Sequence, residues 1–212
     1  MNTIKINNLD KISKNTAKEI SKPLAEGKIV ILPTGTIYGL SCKCNDRNAI
    51  ERIYKIKKRN KNLPFIILIS SHNDLRYLVS DINPIAKKII KKFWDIKNPK
   101  PLTLIFRKRK SLEEFITSGR STIAIRMAEL KFLRYIVDIC GPVISTSATS
   151  SGTKSYPKKI DDIPAAIRKK VDLIVEHSSS LAGVESTIVD VTGLTPVLVR
   201  EGKIKFGDVL KF

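Results

Sequence analysis

Residues 28–40 read KIVILPTGTIYGL, an apolar segment followed at once by a loop of small polar residues. The run 28–32 is typical of a strand buried on both faces, since it lacks the polar alternation of a half-exposed strand. The loop 33–40 offers two threonine hydroxyls, a tyrosine and two glycines. Such residues either form a turn that closes a hairpin or use hydroxyls and backbone amides to hold a small polar ligand. The end of this strand is therefore the first candidate site, with both interpretations open.

Strand-like and helix-like patterns alternate along the rest of the chain. Short apolar runs predict strands at residues 65–69, 102–106, 122–126, 143–145, 173–175, 187–191 and 197–199. Apolar residues at helical spacing predict helices at 12–24 with an interruption at Pro23, from the N-cap Asp46 to Ile56, and at 85–94, 130–139 and 163–170. Interleaved strands and helices favour an α/β fold in which helices pack on the faces of a twisted, mostly buried sheet. Because residues 1–212 contain no repeat or long linker, we predict a single domain.

The composition bounds the class of protein. The 212 residues include 39 Lys+Arg and 20 Asp+Glu, a net charge of +19, and 42% are hydrophobic, so wholesale disorder is excluded. No apolar run approaches the ~20 residues that a membrane-spanning helix needs, and the first residues contain no apolar leader. Three cysteines, an odd number, are more consistent with reduced thiols than with a disulfide framework. We therefore expect a cytoplasmic protein with no membrane partner.

The net charge by itself does not identify a partner. A strongly basic chain is a candidate for nucleic-acid binding. However, 28 of the 39 basic residues are Lys, only 11 are Arg, and Ile reaches 31. This composition is equally consistent with a general bias toward Lys and Ile in which the lysines fill solvated faces. The run RKRK at 107–110 has the same two interpretations, an RNA contact or a solvated loop, and the solvated loop is favoured.

Several common catalytic motifs are missing. The sequence contains no G-x-x-x-x-G-K-[ST] phosphate loop, no G-x-G-x-x-G after a strand and no G-x-S-x-G elbow. Neither His72 nor His177 has a carboxylate or cysteine partner nearby in sequence, so structural or surface roles are expected. Cys42 and Cys44 lack a second ligand pair at zinc-like spacing, so packing is expected for them. The sequence thus shows no sign of a protein nucleophile or of a dedicated metal cage.

Cations and hydroxyls at the ends of predicted elements are the remaining candidates. Five cations within residues 55–61 either face the negative end of a helix dipole or bind a polyphosphate. The segment 145–152, STSATSSG, is either a flexible loop or a set of groups that approach a phosphate or ribose closely. Arg126, Ser186 and Arg200 each lie at a strand boundary. In an α/β sheet such groups can converge on one crevice.

The order of these segments resembles one enzyme family. PTGTIYGL, KKR, TIAIRM, STSATSSG, ESTIVD and PVLVREG follow one another as in the YrdC/TsaC family of threonylcarbamoyl-AMP synthases, from about residue 28 to residue 202. The resemblance implies a YrdC-like fold with a mixed β-sheet and a central concave, cationic cleft. It implies a nucleotidyltransferase that condenses L-threonine, bicarbonate or CO2 and ATP to threonylcarbamoyl-AMP and pyrophosphate, with Mg2+ held mainly by the ATP phosphates. In that family the product passes to a threonylcarbamoyl-transferase complex that modifies position 37 of tRNA.

The resemblance also implies roles for particular residues. Lys57 and Arg59 match the K-x-R motif that faces the ATP phosphates, and both are expected to be catalytic. Four residues match contacts to threonine or bicarbonate: Thr36, Arg126, Ser145 and Ser186. Five further residues match nucleotide contacts: Leu63, Thr122, Ser147, Ser155 and Arg200.

Four positions depart from the family pattern. Gly35 stands where an acidic residue is usual, Asn60 replaces a proline, Leu68 stands where some relatives have histidine, and Thr149 replaces an asparagine. An alternative function is therefore a paralogue of the same fold that binds double-stranded RNA or tRNA without synthase activity. Another is a different carbamoyl-adenylate chemistry, as in related domains of longer maturation enzymes. The four changes leave the cationic and hydroxyl groups intact, so they concern the rate or the subfamily rather than the fold.

Overall fold

One ten-stranded sheet organises the protein. The computed structural model describes residues 2–153 and 156–211. Its strands are β1 (Asn2–Ile6), β2 (Val30–Pro33), β3 (Tyr38–Lys43), β4 (Ile66–Ile69), β5 (Leu102–Arg107), β6 (Thr122–Met127), β7 (Val143–Ser147), β8 (Leu173–His177), β9 (Thr187–Asp190) and β10 (Val197–Arg200). Its α-helices are α1 (Lys14–Ala25), α2 (Arg47–Lys57), α3 (Leu75–Leu78), α4 (Pro84–Phe93), α5 (Glu114–Thr117), α6 (Lys131–Cys140), α7 (Ala165–Arg168) and α8 (Phe206–Val209). Short 3-10 helices occupy His72–Asp74 and Ile160–Asp162.

The sheet is mixed. Its strands follow the order β1-β8-β2-β3-β7-β4-β6-β5-β9-β10. The pairs β1 with β8, β8 with β2, β4 with β6 and β5 with β9 are parallel. The other neighbouring pairs are antiparallel. The predicted α/β fold with a mixed sheet is therefore confirmed, while the extent of the single domain over residues 1–212 stays a prediction.

The central strands are covered on both faces, as the apolar run 28–32 predicts. In β2, Ile31 belongs to one hydrophobic cluster, whereas its neighbours Val30 and Leu32 belong to the other. Successive side chains of a strand point to opposite faces, so the two clusters lie on opposite sides of the sheet. Residues of α2 and α4 join the first cluster, and residues of α1 and α6 join the second. Each large apolar side chain buried in these layers contributes about 1.5–3 kcal/mol, so the two layers are the main source of stability.

The helix boundaries follow local signals. The Asp46 side chain accepts a hydrogen bond from Ala49 N (2.9 Å) at the start of α2, which confirms the predicted N-cap. The helix ends where Lys58 adopts a left-handed backbone conformation with φ of +49°. Pro23 lies inside α1, which continues to Ala25. The helices predicted at 85–94 and 130–139 are observed as α4 and α6, but the one predicted over 163–170 is limited to the single turn of α7.

The sequence analysis missed β1. The segment is short, and only Ile6 is buried among its five residues. It pairs in parallel with β8 from Asn2↔Leu173 to Ile6↔His177. An edge strand of this kind depends on a partner that is distant in sequence, so its own five residues carry little signal.

The loop after β2 does close a hairpin. β2 and β3 pair in antiparallel register from Val30↔Ser41 to Pro33↔Tyr38. Thr34 N and Thr34 Oγ1 both donate to Ile37 O, at 3.0 and 2.7 Å. The hairpin interpretation of residues 33–40 is confirmed, and the same loop also reaches the cleft described below.

The cysteines and histidines have structural surroundings. Cys42, Cys44 and Cys140 are free and buried. Burial raises the pKa of Cys44 to about 12 and that of Cys140 to about 11, which keeps both thiols protonated. His72 Nε2 lies 2.9 Å from a backbone carbonyl oxygen, that of Trp94.

Across residues 2–153 and 156–211, no helix combines the length and the apolar character needed to cross a bilayer.

Candidate active site

Polar side chains from separate parts of the chain meet in one cleft of about 220 Å3. Seven of the eleven candidate site residues line it: Thr36, Arg59, Arg126, Ser145, Ser147, Ser186 and Arg200. They come from six places in the chain, so only the folded sheet brings them together. These are the hairpin loop, the segment after α2, the strands β6, β7 and β10, and the residue before β9. The convergence expected for strand ends in an α/β sheet is therefore observed.

Arg126, near the end of β6, links that strand to the hairpin loop. The residue is 6% exposed. Its Nη1 donates to Thr36 Oγ1 (3.2 Å) and its Nη2 to Thr34 O (2.7 Å). Nη2 also donates to the carboxylate of Glu129, which forms a buried ion pair with it. The candidate residues Thr36 and Arg126 are thus in direct contact, although 90 residues separate them in sequence.

Two candidate hydroxyls are held by buried hydroxyls that the sequence analysis missed. Thr103 Oγ1 lies 2.8 Å from Ser186 Oγ, and both residues are buried. Ser41 Oγ donates to Ser145 Oγ at 3.3 Å. A buried hydroxyl needs a hydrogen-bond partner, so each pair restricts where the second hydroxyl points. In the sequence, Thr103 and Ser41 each stand between apolar neighbours of a strand, and this pattern could have identified them.

An ion pair between Arg200 and Glu185 lies at the β9–β10 side of the cleft. Arg200 Nη1 is 2.6 Å from Glu185 Oε1, and Arg200 Nη2 donates to Ser186 O (2.9 Å). Glu185 is the one carboxylate among the described residues that line the cleft, and the sequence analysis assigned it no role. Burial raises the pKa of the Tyr156 phenol, and its hydrogen bond with Glu185 raises it further. The cleft is lined by three guanidinium groups and one carboxylate, so the charge of its lining is positive. The guanidinium groups belong to Arg59, Arg126 and Arg200.

Lys57 reaches the site from below its surface. The side chain is 1% exposed, and its Nζ donates to Ser147 O and to Thr149 O (2.6 Å). Burial, and to a smaller extent the charge of Arg59, lower the pKa of Lys57 to about 8. The ammonium therefore holds the end of β7 and the loop that follows, and does not line the cleft. A direct contact between Lys57 and a phosphate, which the resemblance implies, stays a prediction.

A second cavity of about 210 Å3 adjoins the cleft. Leu63 and Thr122, two of the candidate nucleotide residues, line it together with Arg120, which the sequence analysis missed. Arg59 stands between the two spaces, with Nε donating to Leu63 O (3.1 Å) and Nη2 to Pro64 O (3.2 Å). Both spaces share four lining residues: Arg59, Pro64, Ile105 and Ala124. The combined space has apolar walls and cationic groups, which suits a ligand with a flat apolar part and a negatively charged part.

The positions that depart from the family pattern have local contacts. Thr149 is buried, and its Oγ1 lies 3.0 Å from Ser147 Oγ. Leu68 is buried and lines the cleft. Asn60 accepts a hydrogen bond on its side chain from the backbone amide two residues further on (2.9 Å). None of the three removes a cation or a hydroxyl from the cleft. Ser155, the remaining candidate nucleotide residue, lies outside the described residues.

The fold and the site together define a class of protein, an α/β domain with a cationic cleft lined by hydroxyls at the ends of its strands. Guanidinium groups and hydroxyls can align an anionic ligand and stabilise negative charge as it develops. The chain belongs to the Sua5/YciO/YrdC family, since the family model described as "Telomere recombination" matches residues 22–202. This range contains all eleven candidate residues, and the resemblance drawn from the six motifs is confirmed.

Three comparisons illustrate the similarity. The threonylcarbamoyl-AMP synthase of Pyrococcus abyssi is 33% identical over 210 residues, which cover 99% of this chain and 60% of the relative. The crystal structure of P. abyssi Sua5 complexed with L-threonine matches with a TM-score of 0.90 and 31% identity, covering 100% of this chain and 60% of that one. The crystal structure of E. coli YciO matches with a TM-score of 0.81 and 25% identity, covering 96% of both chains. The chain thus spans 60% of the length of the P. abyssi relative.

Proposed function

We propose that the chain synthesises threonylcarbamoyl-AMP from L-threonine, bicarbonate or CO2, and ATP, with release of pyrophosphate. The observation that carries the proposal is the joined cleft, in which the hydroxyls of Thr36, Ser145 and Ser186 lie beside the guanidinium groups. The P. abyssi relative that bears the synthase name supports this activity for the chain. The crystal structure of P. abyssi Sua5 with L-threonine supports threonine as the substrate.

The proposed reaction requires no protein nucleophile. The amine of threonine attacks CO2, so that an N–C bond forms, a proton is lost and a carbamate results. A carbamate oxygen then attacks the α-phosphorus of ATP, and the bond from that phosphorus to the bridging oxygen breaks as pyrophosphate leaves. The protein has to hold the two reacting groups in line and neutralise the charge of the leaving group. Exclusion of water protects the carbamate and the mixed anhydride from hydrolysis.

The two halves of the joined cleft suit the two substrates. We place the amino acid at the buried end, where Arg126 faces its carboxylate and the hydroxyls of Thr36 and Ser186 face its polar groups. We place the adenosine in the second cavity, because the side chain of Leu63, which is 44% exposed, offers it an apolar surface. Arg59 lies between these positions, where the phosphates would be. This arrangement sets the carbamate beside the α-phosphate.

Mg2+ is proposed to arrive with ATP. The polar groups of the cleft are guanidinium groups and hydroxyls, and its carboxylate, Glu185, is already paired with Arg200. Mg2+ prefers carboxylate and phosphate oxygens, and the triphosphate supplies the latter. The ion therefore belongs to the substrate complex in this proposal, and no protein ligand is assigned to it. A chelator is expected to stop turnover while the free energy of unfolding stays unchanged.

Transfer of the product to a second protein completes the proposal. A mixed anhydride hydrolyses in water, so the product is expected to pass to a cytoplasmic threonylcarbamoyl-transferase complex that acts on position 37 of tRNA. Direct RNA binding has weaker support. Lys108 Nζ donates to Leu112 O (3.0 Å) and Arg109 Nη1 to Arg76 O (2.5 Å), so two of the four cations at 107–110 have contacts within the protein. The synthase name of the P. abyssi relative also favours the enzyme over an inactive RNA-binding paralogue.

Pyrophosphate release tests the proposed function. Purified protein is incubated with ATP, Mg2+, bicarbonate and either L-threonine, L-serine or L-alanine, and release is expected to depend on threonine. Arg59→Ala is expected to lower the rate about 100-fold or more, because it removes a positioned cation. Arg52→Ala is the matched control, since Arg52 is 45% exposed and forms a surface pair with Asp172 (3.2 Å). Folded protein without threonine-dependent release would refute the synthase, and full activity of Arg59→Ala would refute the placement of the phosphates.

A further inference from the structure

We propose that Glu129 is a positioning residue for the amino-acid subsite, which occupies the space left open by Gly35 and orients the guanidinium group of Arg126. The inference rests on the proposed function, because it takes Arg126 to face the carboxylate of the amino acid. Two observations carry it: the buried ion pair with Arg126, and the close approach of the Glu129 carboxylate to Gly35.

The ion pair between Glu129 and Arg126 lies inside the protein. The two side chains are 10% and 7% exposed, and the carboxylate accepts a hydrogen bond from Arg126 Nη2. Removing one member of a buried pair leaves an uncompensated charge, which is far more disruptive than losing a surface pair. Glu129 therefore stabilises the charge of Arg126 and restricts its orientation.

The other donors of Arg126 reach the hairpin loop. Nη1 donates to Thr36 Oγ1 (3.2 Å), and Nη2 donates to Thr34 O (2.7 Å). Nε is buried and has no hydrogen-bond partner within the described part of the chain. A buried donor without a hydrogen-bond partner is unfavourable, so a ligand whose acceptor reaches Nε gains affinity. A guanidinium group held from two sides in this way keeps one orientation toward the amino-acid subsite, and two of its five N–H groups are not engaged within the described part of the chain.

Gly35 provides the space that the Glu129 carboxylate occupies. Its φ is +84°, and a Cβ placed on it would lie 3.2 Å from Glu129 Oε2 and 3.4 Å from Leu130 Cγ. A Cβ at position 35 would therefore press on the carboxylate, which would have to shift by a few tenths of an ångström beside Arg126. The chain thus lacks an acidic side chain at position 35 but has a carboxylate 3.2 Å from where the Cβ of that residue would lie, which comes from the turn after β6.

The charge state of Glu129 links the subsite to pH. Burial raises the pKa of Glu129, while Arg126 and, with smaller effect, Lys203 and Lys100 lower it in part. Arg134 Nη1 donates to the backbone oxygen of Glu129 (2.7 Å) and places a further positive charge nearby. Acidification that protonates Glu129 removes the anionic partner of Arg126. The affinity for the amino acid is therefore expected to fall as the pH is lowered.

Calorimetric binding of L-threonine to the full chain, together with steady-state kinetics, tests this inference. Glu129→Gln and Glu129→Ala are expected to weaken threonine binding about 10- to 100-fold, the range found for groups that orient the ligands of metal ions. The KM for ATP is expected to change less than about threefold, because the adenosine lies in the other cavity. Glu176→Gln is the matched control, since Glu176 is 35% exposed and its pair with the exposed Lys5 (3.7 Å) lies at the surface.

A second set of variants tests the role of Gly35. Gly35→Ala is expected to weaken threonine binding as Glu129→Gln does, because the added methyl group presses on the carboxylate and the left-handed backbone at position 35 disfavours a side chain. The double variant Gly35→Ala/Glu129→Gln is then expected to bind threonine about as weakly as either single variant, because residues that act as one unit are not additive. Additive losses in the double variant would show that the two residues act separately and would overturn the inference.

The pH dependence gives an independent measurement. As the pH is lowered, threonine affinity of the wild type is expected to fall, because Glu129 with its raised pKa becomes protonated, while that of Glu129→Gln changes little. Wild-type affinity in Glu129→Ala, or equal changes in the threonine and ATP constants, would overturn the inference. If Glu129→Ala fails to fold, the nearly isosteric Glu129→Gln provides the same measurement. Threonine binding that depends on Glu129 in a chain that releases no pyrophosphate would refute the proposed function and support this inference.

Discussion

Replacement of Lys57 by methionine tests whether a buried ammonium group organises the loop after β7. Lys57 is 1% exposed, and its Nζ donates to Ser147 O and to Thr149 O (2.6 Å). Methionine keeps most of the length and the apolar stem of the side chain but removes the charge and every donor. We expect the variant to fold and to lose activity, because Ser147 lines the cleft.

The structure predicts a limited change in stability. Burial lowers the pKa of Lys57 from 10.5 to about 8, so it disfavours the charged side chain by roughly 3 kcal/mol. Methionine removes this cost but leaves the buried carbonyl of Thr149 and the partly buried carbonyl of Ser147 without this donor, at about 1–3 kcal/mol each. Because these effects oppose each other, the free energy of unfolding is expected to change by less than about 3 kcal/mol.

Activity is expected to fall much further than stability. Without the ammonium group, the segment from Ser147 to Thr149 can shift, and a displacement of about 1 Å in a substrate-positioning group lowers a rate about 100-fold. Threonine-dependent pyrophosphate release and urea unfolding are measured on the same samples. Lys58→Met is the matched control, since Lys58 is the next residue and is exposed. Activity of Lys57→Met within about threefold of the wild type, or an equal loss in Lys58→Met, would contradict the anchoring role.

Three further predictions concern separate contacts. Thr103→Val removes the hydroxyl that lies 2.8 Å from Ser186 Oγ, and we expect it to raise the KM for threonine about tenfold. Thr103→Ser keeps the hydroxyl and is expected to keep wild-type kinetics. Equal kinetics in both variants would argue against this contact. Asp46→Ala removes the helix cap on Ala49 N (2.9 Å), so calorimetry is expected to show a free energy of unfolding lower by about 1 kcal/mol. The Tm is then lower by about 2–4 °C, with kcat unchanged. An unchanged Tm would disprove the cap. Because the pKa of Lys57 in the folded protein lies below its ordinary value of 10.5, the unfolded chain binds more protons between the two values. The free energy of unfolding of the wild type is therefore expected to rise by roughly 3 kcal/mol relative to Lys57→Met as the pH is raised from about 8 to about 10.5; a flat difference in urea unfolding would contradict a buried ammonium group.

Local signals predicted the elements that depend on near neighbours. The apolar run 28–32 predicts β2, and the cap at Asp46 predicts the start of α2, because the relevant contacts span a few residues. β1 has no comparable signal, since its contacts are made with β8 near the other end of the chain. The helix predicted over 163–170 forms only one turn as α7, so apolar spacing overestimated its length.

The residues of the candidate site likewise form two groups, those predicted from the sequence and those found only in the structure. The six ordered motifs predicted eleven site residues, of which seven line the cleft, because cations and hydroxyls stand in recognisable local contexts. They assigned no role to Thr103, Glu185 or Arg120, which act through neighbours on other strands and loops. The motifs did not predict that Lys57 is buried beneath the loop after β7, because this depends on packing between α2 and that loop.

Residue types and their order were sufficient for the α/β class, the buried central strands, the family and the candidate residues. The assembled fold was needed to show that Thr103 holds Ser186, that Lys57 lies below the cleft surface and that Glu129 stands in the space beside Gly35. Each of these contacts depends on the register of strands or the approach of a loop from elsewhere in the chain. A shift of one residue in register would turn the same side chains to the other face of the sheet, so composition and spacing alone do not specify them.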